Sequence, residues 1–468
     1  MNALLVAEDV AVFSGERLVQ PTTLSLLPGR PLTILGESGS GKSLLAQAIM
    51  GTLPRGLRAE GVATIDGRRL PLSSGAGHRP LWGRILGLLP QEPWLALDPT
   101  MGARAQVAEG YRHVRGLDAR DARRRAQADL DSLGLAMAGS KLPSELSGGM
   151  AQRVAFAAAR AGGARILIAD EPTKGLDVMR RDDVAALLMR EVGEGAGLLT
   201  ITHDLALARR LGGEVAVMLD GVIVERGPTE KVLTNPGHEY TRRLIAADPA
   251  VWSGRPGAPA AGAAVLEAAR LGKTRGGHRL FADRDFSIAR GEIVGITGPS
   301  GSGKSTFGDV LLGLIEPDVG FVRRAAGIAP VRYQKIYQDP PSAFPPRVTL
   351  RRAIDDLVRR HGLDAGRIAP LLDRLRLSAA LLDRRPSEVS GGELQRLALL
   401  RVLLLDPAFL FADEPTSRLD LITQQEIVEL LAEVARERDC AVLLVSHDTE
   451  LVEKVCHRRI RLGEEAPG

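Results

Sequence analysis

The chain has 468 residues, too many for one ordinary core, and at roughly 150 residues per domain it holds two to four. Hydrophobic residues make up 44% and charged residues 25%, ordinary globular proportions that exclude a disordered or fibrous chain. Aromatics at 3% argue against base-stacking platforms for nucleic acid, and a net charge of +4 (pI ≈ 9.2) permits weak attraction to phosphates or anionic membranes without establishing either.

Along the chain, the opening MNALLVAEDVAVF lacks a basic start followed by a long apolar core, so no signal peptide is expected. The first phosphate-loop pattern, GESGSGKS at 36–43, lies between a predicted strand (PLTIL) and a predicted helix (SLLAQAIM). RILIAD and GLLTITHD follow as short apolar runs, the look of buried parallel strands. The stretch SGRPGAPAAGAA at 253–264 has no apolar period and reads as a short linker. It separates a first domain at 1–252 from a second at 265–468. EIVGIT, GPSGSGKS at 298–305, STFGDVLLGL, FLFAD and AVLLVSHD then repeat the first series. The most apolar run, 397–412, is broken by Arg401 and Asp406, so no membrane span is expected and the chain reads as soluble and cytoplasmic. Cys440 and Cys456 form no CxxC pair, which excludes a cysteine-ligated iron–sulfur or zinc site and suits a reducing compartment.

The order and spacing of these pieces show an internal duplication. LSGG (146–149) recurs as VSGG (389–392), ILIADEP as FLFADEP, and THD as SHD, at nearly one constant separation. The first copy is longer by about fifteen residues between its phosphate loop and Gln91, around RGLRAEGVATIDGRRLPLSSGAGH, which reads as turns and strand pieces.

The GxxxxGK[ST] pattern works because glycines let the backbone curl until several N–H groups face phosphate oxygens. In the first copy Gly36, Glu37, Ser38, Gly39, Ser40 and Gly41 would form that curl, with Lys42 on the outer phosphates and Ser43 on Mg²⁺. In the second, Gly298, Pro299, Ser300, Gly301, Ser302 and Gly303 precede Lys304, Ser305 and Thr306. Asp170 and Asp413 each end a buried strand, where a carboxylate reaches the metal through water. Glu171 and Glu414 follow, placed to polarise an attacking water in line with the terminal phosphate. Such an acidic pair alone is more often a helix cap or a solvated turn. Its repetition in register with a phosphate loop favours catalysis. His203 and His447 follow two further strands, and their repetition favours a role at the terminal phosphate.

LSGGMAQR and VSGGELQR resemble the signature of the ATP-binding cassette (ABC) ATPases, and with the other motifs the resemblance covers nearly the whole chain twice. It implies two P-loop α/β domains in tandem, each a mainly parallel core sheet with helices, an antiparallel β region and a helical subdomain carrying the signature. It implies ATP and Mg²⁺ as cofactors, with Gln91 and Gln338 beside the metal and the attacking water. It also implies head-to-tail intramolecular pairing, with Ser147, Gly148 and Gly149 closing over ATP held by Lys304. Ser390, Gly391 and Gly392 would close over ATP held by Lys42. By the same resemblance Phe13 stacks on adenine in the first site. The matching stretch of the second copy, AARLGKTRGGHRL, has no aromatic, so weaker nucleotide binding is expected there.

QEPWLALDPTM, QDPPSAFPPRVT and the tail NPGHEYTRRLIAADP resemble those of ATPases in importers for dipeptides, oligopeptides and nickel. The resemblance implies a peripheral protein on the cytoplasmic face of a bacterial inner membrane. Its partners would be two permease subunits and, through them, a solute-binding protein. Soluble twin-cassette proteins that act on ribosomes or nucleic acid are the alternative. Their long charged arms or cysteine clusters do not appear in the sequence, so no nucleic-acid partner is expected.

Overall fold

The computed structural model describes residues 2–91, 96–173, 178–254, 257, 262–299, 301–416 and 419–463. The chain divides into two compact units, Met1–Ile245 and Ala246–Gly468. Both are α/β.

In the first unit β1 (Leu5–Ser14), β2 (Glu16–Leu26), β4 (Arg58–Ile65) and β5 (Arg68–Pro71) form an antiparallel sheet in the order β2-β1-β4-β5. A second sheet takes β3 (Leu32–Leu35), β6 (Leu86–Leu89), β7 (Ile166–Asp170), β8 (Gly197–Thr202), β9 (Glu214–Leu219) and β10 (Val222–Pro228). Its order is β10-β9-β3-β8-β7-β6, parallel throughout except for the β9–β10 hairpin. β3 and β8 are buried at every position. The sequence reason is plain: LTIL and GLLTIT carry small or apolar residues on both faces, as a sheet covered on both sides requires.

The second unit repeats the plan. β11 (Ala264–Arg275), β12 (His278–Ala289) and β14 (Val319–Arg324) make an antiparallel sheet in the order β12-β11-β14. β13 (Ile293–Thr297), β15 (Tyr333–Ile336), β16 (Phe409–Asp413), β17 (Ala441–Val445) and β18 (Arg458–Arg461) make a parallel sheet ordered β15-β16-β17-β13-β18. The extra length of the first copy falls largely on β5 and the 3₁₀ turns Gly75–Gly77 and Arg79–Leu81, with no counterpart between β14 and the turn Pro330–Arg332. It adds an antiparallel edge strand and leaves the parallel sheet unaltered.

Each unit also has a helical part whose core continues into the parallel sheet. In the first, Ala103–Glu109, Ala119–Ser132 and Gly148–Ala161 pack through Val107, Ala126, Leu130 and Val154. In the second, Leu350–His361, Ile368–Arg374 and Gly391–Leu404 pack through Leu350, Ile354, Leu371 and Leu397. Among the described residues, no helix is long and apolar enough to cross a membrane.

Candidate active sites

Each phosphate loop leaves the carboxyl end of a central parallel strand, β3 or β13, which is where such sheets place ligands. Gly41 (φ 96°) and Gly303 (φ 91°) adopt the left-handed conformation and turn the chain into helices Lys42–Met50 and Lys304–Leu311. At the head of each loop the neighbouring chain lies against the backbone. A Cβ on Gly36 would stand 2.2 Å from the Met218 carbonyl oxygen, and one on Gly298 2.3 Å from that of Leu462. The lysines are enclosed by their own loops. Lys42 Nζ donates to the carbonyls of Gly36 (2.8 Å) and Glu37 (2.7 Å), and Lys304 Nζ to those of Gly298 (2.9 Å) and Pro299 (2.8 Å). Ser300, and residues 92–95 after Gln91, lie outside the described residues.

The acidic pairs meet the loops from the next strands. The Ser43 hydroxyl donates to Asp170 Oδ1 at 3.1 Å. Ser305 hydrogen-bonds Asp413, whose carboxyl burial pushes above the ordinary range against the opposing pull of Ser305 and the Lys335 charge. Asp413 Oδ1 is buried without a hydrogen-bond partner. A serine hydroxyl and a buried carboxylate oxygen are hard donors suited to Mg²⁺, so these residues fit that ion.

Glu171 and Glu414 stand at positive φ (49° and 51°), a conformation that costs a non-glycine residue about 1–3 kcal/mol. Their own N–H groups hold the strand ends, donating to the carbonyls of Ile201 (2.8 Å) and Val445 (3.1 Å). The kink carries each carboxylate to the histidine beyond the neighbouring strand. His203 Nδ1 lies 2.9 Å from Glu171 Oε2, and His447 Nε2 lies 2.7 Å from Glu414 Oε1. Thr202 Oγ1 donates to Glu171 (3.3 Å), and Gln338 Nε2 to Glu414 (2.9 Å). Burial pushes the Glu414 carboxyl up, but the His447 hydrogen bond, the His447 and Lys304 charges and the Gln338 hydrogen bond outweigh it and hold it below the ordinary range. It is therefore ionised at neutral pH, the state a general base needs. Gln91 is exposed.

Thus within each unit the lysine, serine, aspartate, glutamate and histidine converge, and Gln338 joins them in the second. The third residue of THD and SHD serves the fold instead, since Asp204 and Asp448 cap the helices Leu205–Leu211 and Thr449–Val455. The signature serines are caps as well. Ser147 Oγ accepts from the Met150 N–H, and Ser390 Oγ from the Glu393 N–H, so Gly148–Gly149 and Gly391–Gly392 form open first turns. In the second copy the Glu393 carboxylate also accepts from the Ser390 hydroxyl (2.7 Å) and its N–H (2.9 Å). Phe13, half-buried on β1, lies under the Arg17 guanidinium, 5.2 Å from ring centroid to charge.

Sequence reasoning missed Lys335. Its ammonium pairs with Asp309 Oδ1 at 2.6 Å and lies 3.8 Å from Asp413 Oδ2, beside the proposed metal site. The available signal was a lysine inside a strand whose neighbours Tyr333 and Ile336 are buried.

The family model for ABC transporters matches residues 19–174 and 281–417, so each match spans one phosphate loop and one aspartate–glutamate pair. The chain belongs to the ABC transporter family. The peptidoglycan transport ATP-binding protein YejF of Agrobacterium fabrum is 33% identical over 94% of this chain and 86% of its own length. YejF of Escherichia coli K12, an uncharacterized ABC transporter ATP-binding protein, is 33% identical over 99% of this chain and 94% of its own. The glutathione import ATP-binding protein GsiA of Salmonella typhi is 33% identical over 94% and 81%. This ABC protein is therefore a tandem pair of ATP-binding cassettes and a transport-coupled ATPase. The solved RNase-L Inhibitor aligns over 98% of this chain and 88% of its own with a TM-score of 0.67 and 22% identity, a likeness of fold.

The aromatic expected over adenine gives a direct test. Phe13→Ala should weaken nucleotide binding at the first site by about fivefold or more, the low end of base–aromatic stacking, and leave the second site unchanged. Titrating a fluorescent ATP analogue against chains carrying Lys42→Ala or Lys304→Ala reads the two sites separately; equal losses at both would refute the assignment.

Proposed function

We propose that this ABC ATPase is the energy-coupling component of an importer for peptide-like solutes. In this reading two permease subunits and a solute-binding protein are its partners, at the cytoplasmic face of an inner membrane. The observation that carries the hydrolytic part is the Glu–His contact, present at both strand ends. Glu171 and Glu414 act as general bases, and His203 and His447 hold the carboxylate and the terminal phosphate in register. Lys42 and Lys304 bind the outer phosphates. Ser43 and Asp170, and in the second copy Ser305 and Asp413, hold Mg²⁺, with Gln91 and Gln338 at its edge. The ion supplies charge neutralisation on the phosphates. Each loop is completed by the signature of the other cassette, Ser147–Gly149 for Lys304 and Ser390–Gly392 for Lys42.

The relatives named for peptidoglycan transport and glutathione import support a solute with peptide bonds; neither name points to nickel. The test is to copurify the chain with its membrane partners and identify what their solute-binding protein retains. A peptide or peptide conjugate, with ATPase activity stimulated by the loaded binding protein, is the expected result. Retention of bare nickel, or stimulation by ribosomes alone, would sink it.

A further inference from the structure

The tail NPGHEYTRRLIAADP takes no part in the chemistry above, yet it reaches the first phosphate loop. The Glu37 N–H donates to the Tyr240 hydroxyl at 3.0 Å, across 203 positions of sequence. Tyr240 is only 4% exposed, and a phenolic hydroxyl so enclosed needs a polar partner. The Glu37 peptide is therefore held at both ends, its N–H on Tyr240 and the Gly36 carbonyl that shares it on Lys42 Nζ at 2.8 Å.

The rest of the tail fixes where that hydroxyl stands. On β10, Glu225 accepts from the N–H groups of Gly237 (2.7 Å) and His238 (3.1 Å). His238 Nδ1 then accepts from the Tyr240 N–H at 3.1 Å and closes the start of helix Glu239–Ala246. Arg242 donates to the carbonyls of Pro236 (3.3 Å) and Gly237 (2.9 Å), locking the turn from the other side. A carboxylate, an imidazole and a guanidinium thus act together to aim one phenol.

The second loop supplies an internal comparison. Its residue at the place of Glu37 is Pro299, which has no N–H to donate. The donor exists in the loop that the tyrosine reaches and is missing from the other.

We infer that Tyr240 is a positioning residue for the first phosphate loop, holding the Glu37 peptide in its phosphate-binding conformation through the tail. This rests on the reading that the first loop binds nucleotide. In that reading Lys42 exchanges the loop carbonyls for phosphate oxygens, and Tyr240 becomes the anchor that keeps the Glu37 peptide in place. The second loop gets the same rigidity from the fixed φ of proline.

Tyr240→Phe removes the hydroxyl and keeps the ring. In a Lys304→Ala chain, which reports the first loop, the Kd for a fluorescent ATP analogue with Mg²⁺ should rise about threefold to tenfold, the value of one hydrogen bond. In a Lys42→Ala chain it should not change. Hydrogen exchange at the Glu37 amide should quicken. Glu37→Pro, which copies the second loop and removes the donor, should make Tyr240→Phe silent, and that non-additivity separates the bond from any general loosening of the tail. An unchanged Kd, equal losses in the two backgrounds, or additive losses in the double variant would overturn the inference. If the Lys304→Ala parent binds no nucleotide at all, the reading of the first loop falls, and this inference with it.

Discussion

Replacing both Glu171 and Glu414 with glutamine is expected to cut ATP turnover by about 100-fold or more, the range for removing a positioned general base, while nucleotide binding persists. The expectation follows from what each carboxylate touches. Glu171 and Glu414 contact their histidines at 2.9 and 2.7 Å and are mostly buried, so little else competes for the proton they would take. Glutamine keeps size and shape but cannot accept that proton, and the phosphate loops, which lie on other strands, are left intact. Single variants should show how the work divides. If both cassettes hydrolyse, each single variant keeps part of the activity; if one cassette drives the cycle, one variant alone reproduces the double. Steady-state phosphate release beside equilibrium binding measures both quantities. Unchanged turnover in the double variant would remove the glutamates from the mechanism.

Much of this is legible in the sequence, because the residues concerned announce themselves in short, dense patterns. The phosphate loops, the strands that end in Asp170 and Asp413, and the strands before His203 and His447 all carry local signals, a glycine pattern or an unbroken apolar run. The structure places each where those signals imply, at the carboxyl ends of parallel strands. What is not legible depends on contacts between segments distant in sequence. Nothing around Tyr240 says that its hydroxyl meets residue 37, since the tail's own pattern is an ordinary amphipathic helix. Likewise the left-handed turn at Glu171 and Glu414 has no local cause: glutamate disfavours it, and only the pairing of strand end, histidine and neighbouring carbonyl maintains it. Lys335 is hidden for the same reason, because its partner Asp309 lies on the helix of the phosphate loop.

That lysine gives the largest expected effect on stability. Lys335→Leu should destabilise the second unit by about 3–5 kcal/mol, the cost of removing one member of a buried ion cluster. The Lys335 side chain is 10% exposed, Asp309 21% and Asp413 4%, so water cannot take the place of the missing ammonium. The Tyr337 and Phe411 rings, each 5.2 Å from that ammonium, would lose the cation they face. Burial already pushes the Asp413 carboxyl up, and without Lys335 it would rise further. The first copy shows how a cassette can do without the cluster: the corresponding positions hold Leu88 and Gln47, an apolar residue and a neutral amide. The double variant Lys335→Leu with Asp309→Gln puts the first copy's residue types at both positions, and it should recover at least half of the loss, because it removes the stranded Asp309 charge together with its partner. Chemical denaturation of the wild-type, single and double variants measures the difference. If the double variant is as unstable as the single, the loss comes from packing around the lysine stem and the electrostatic account of this cluster is wrong.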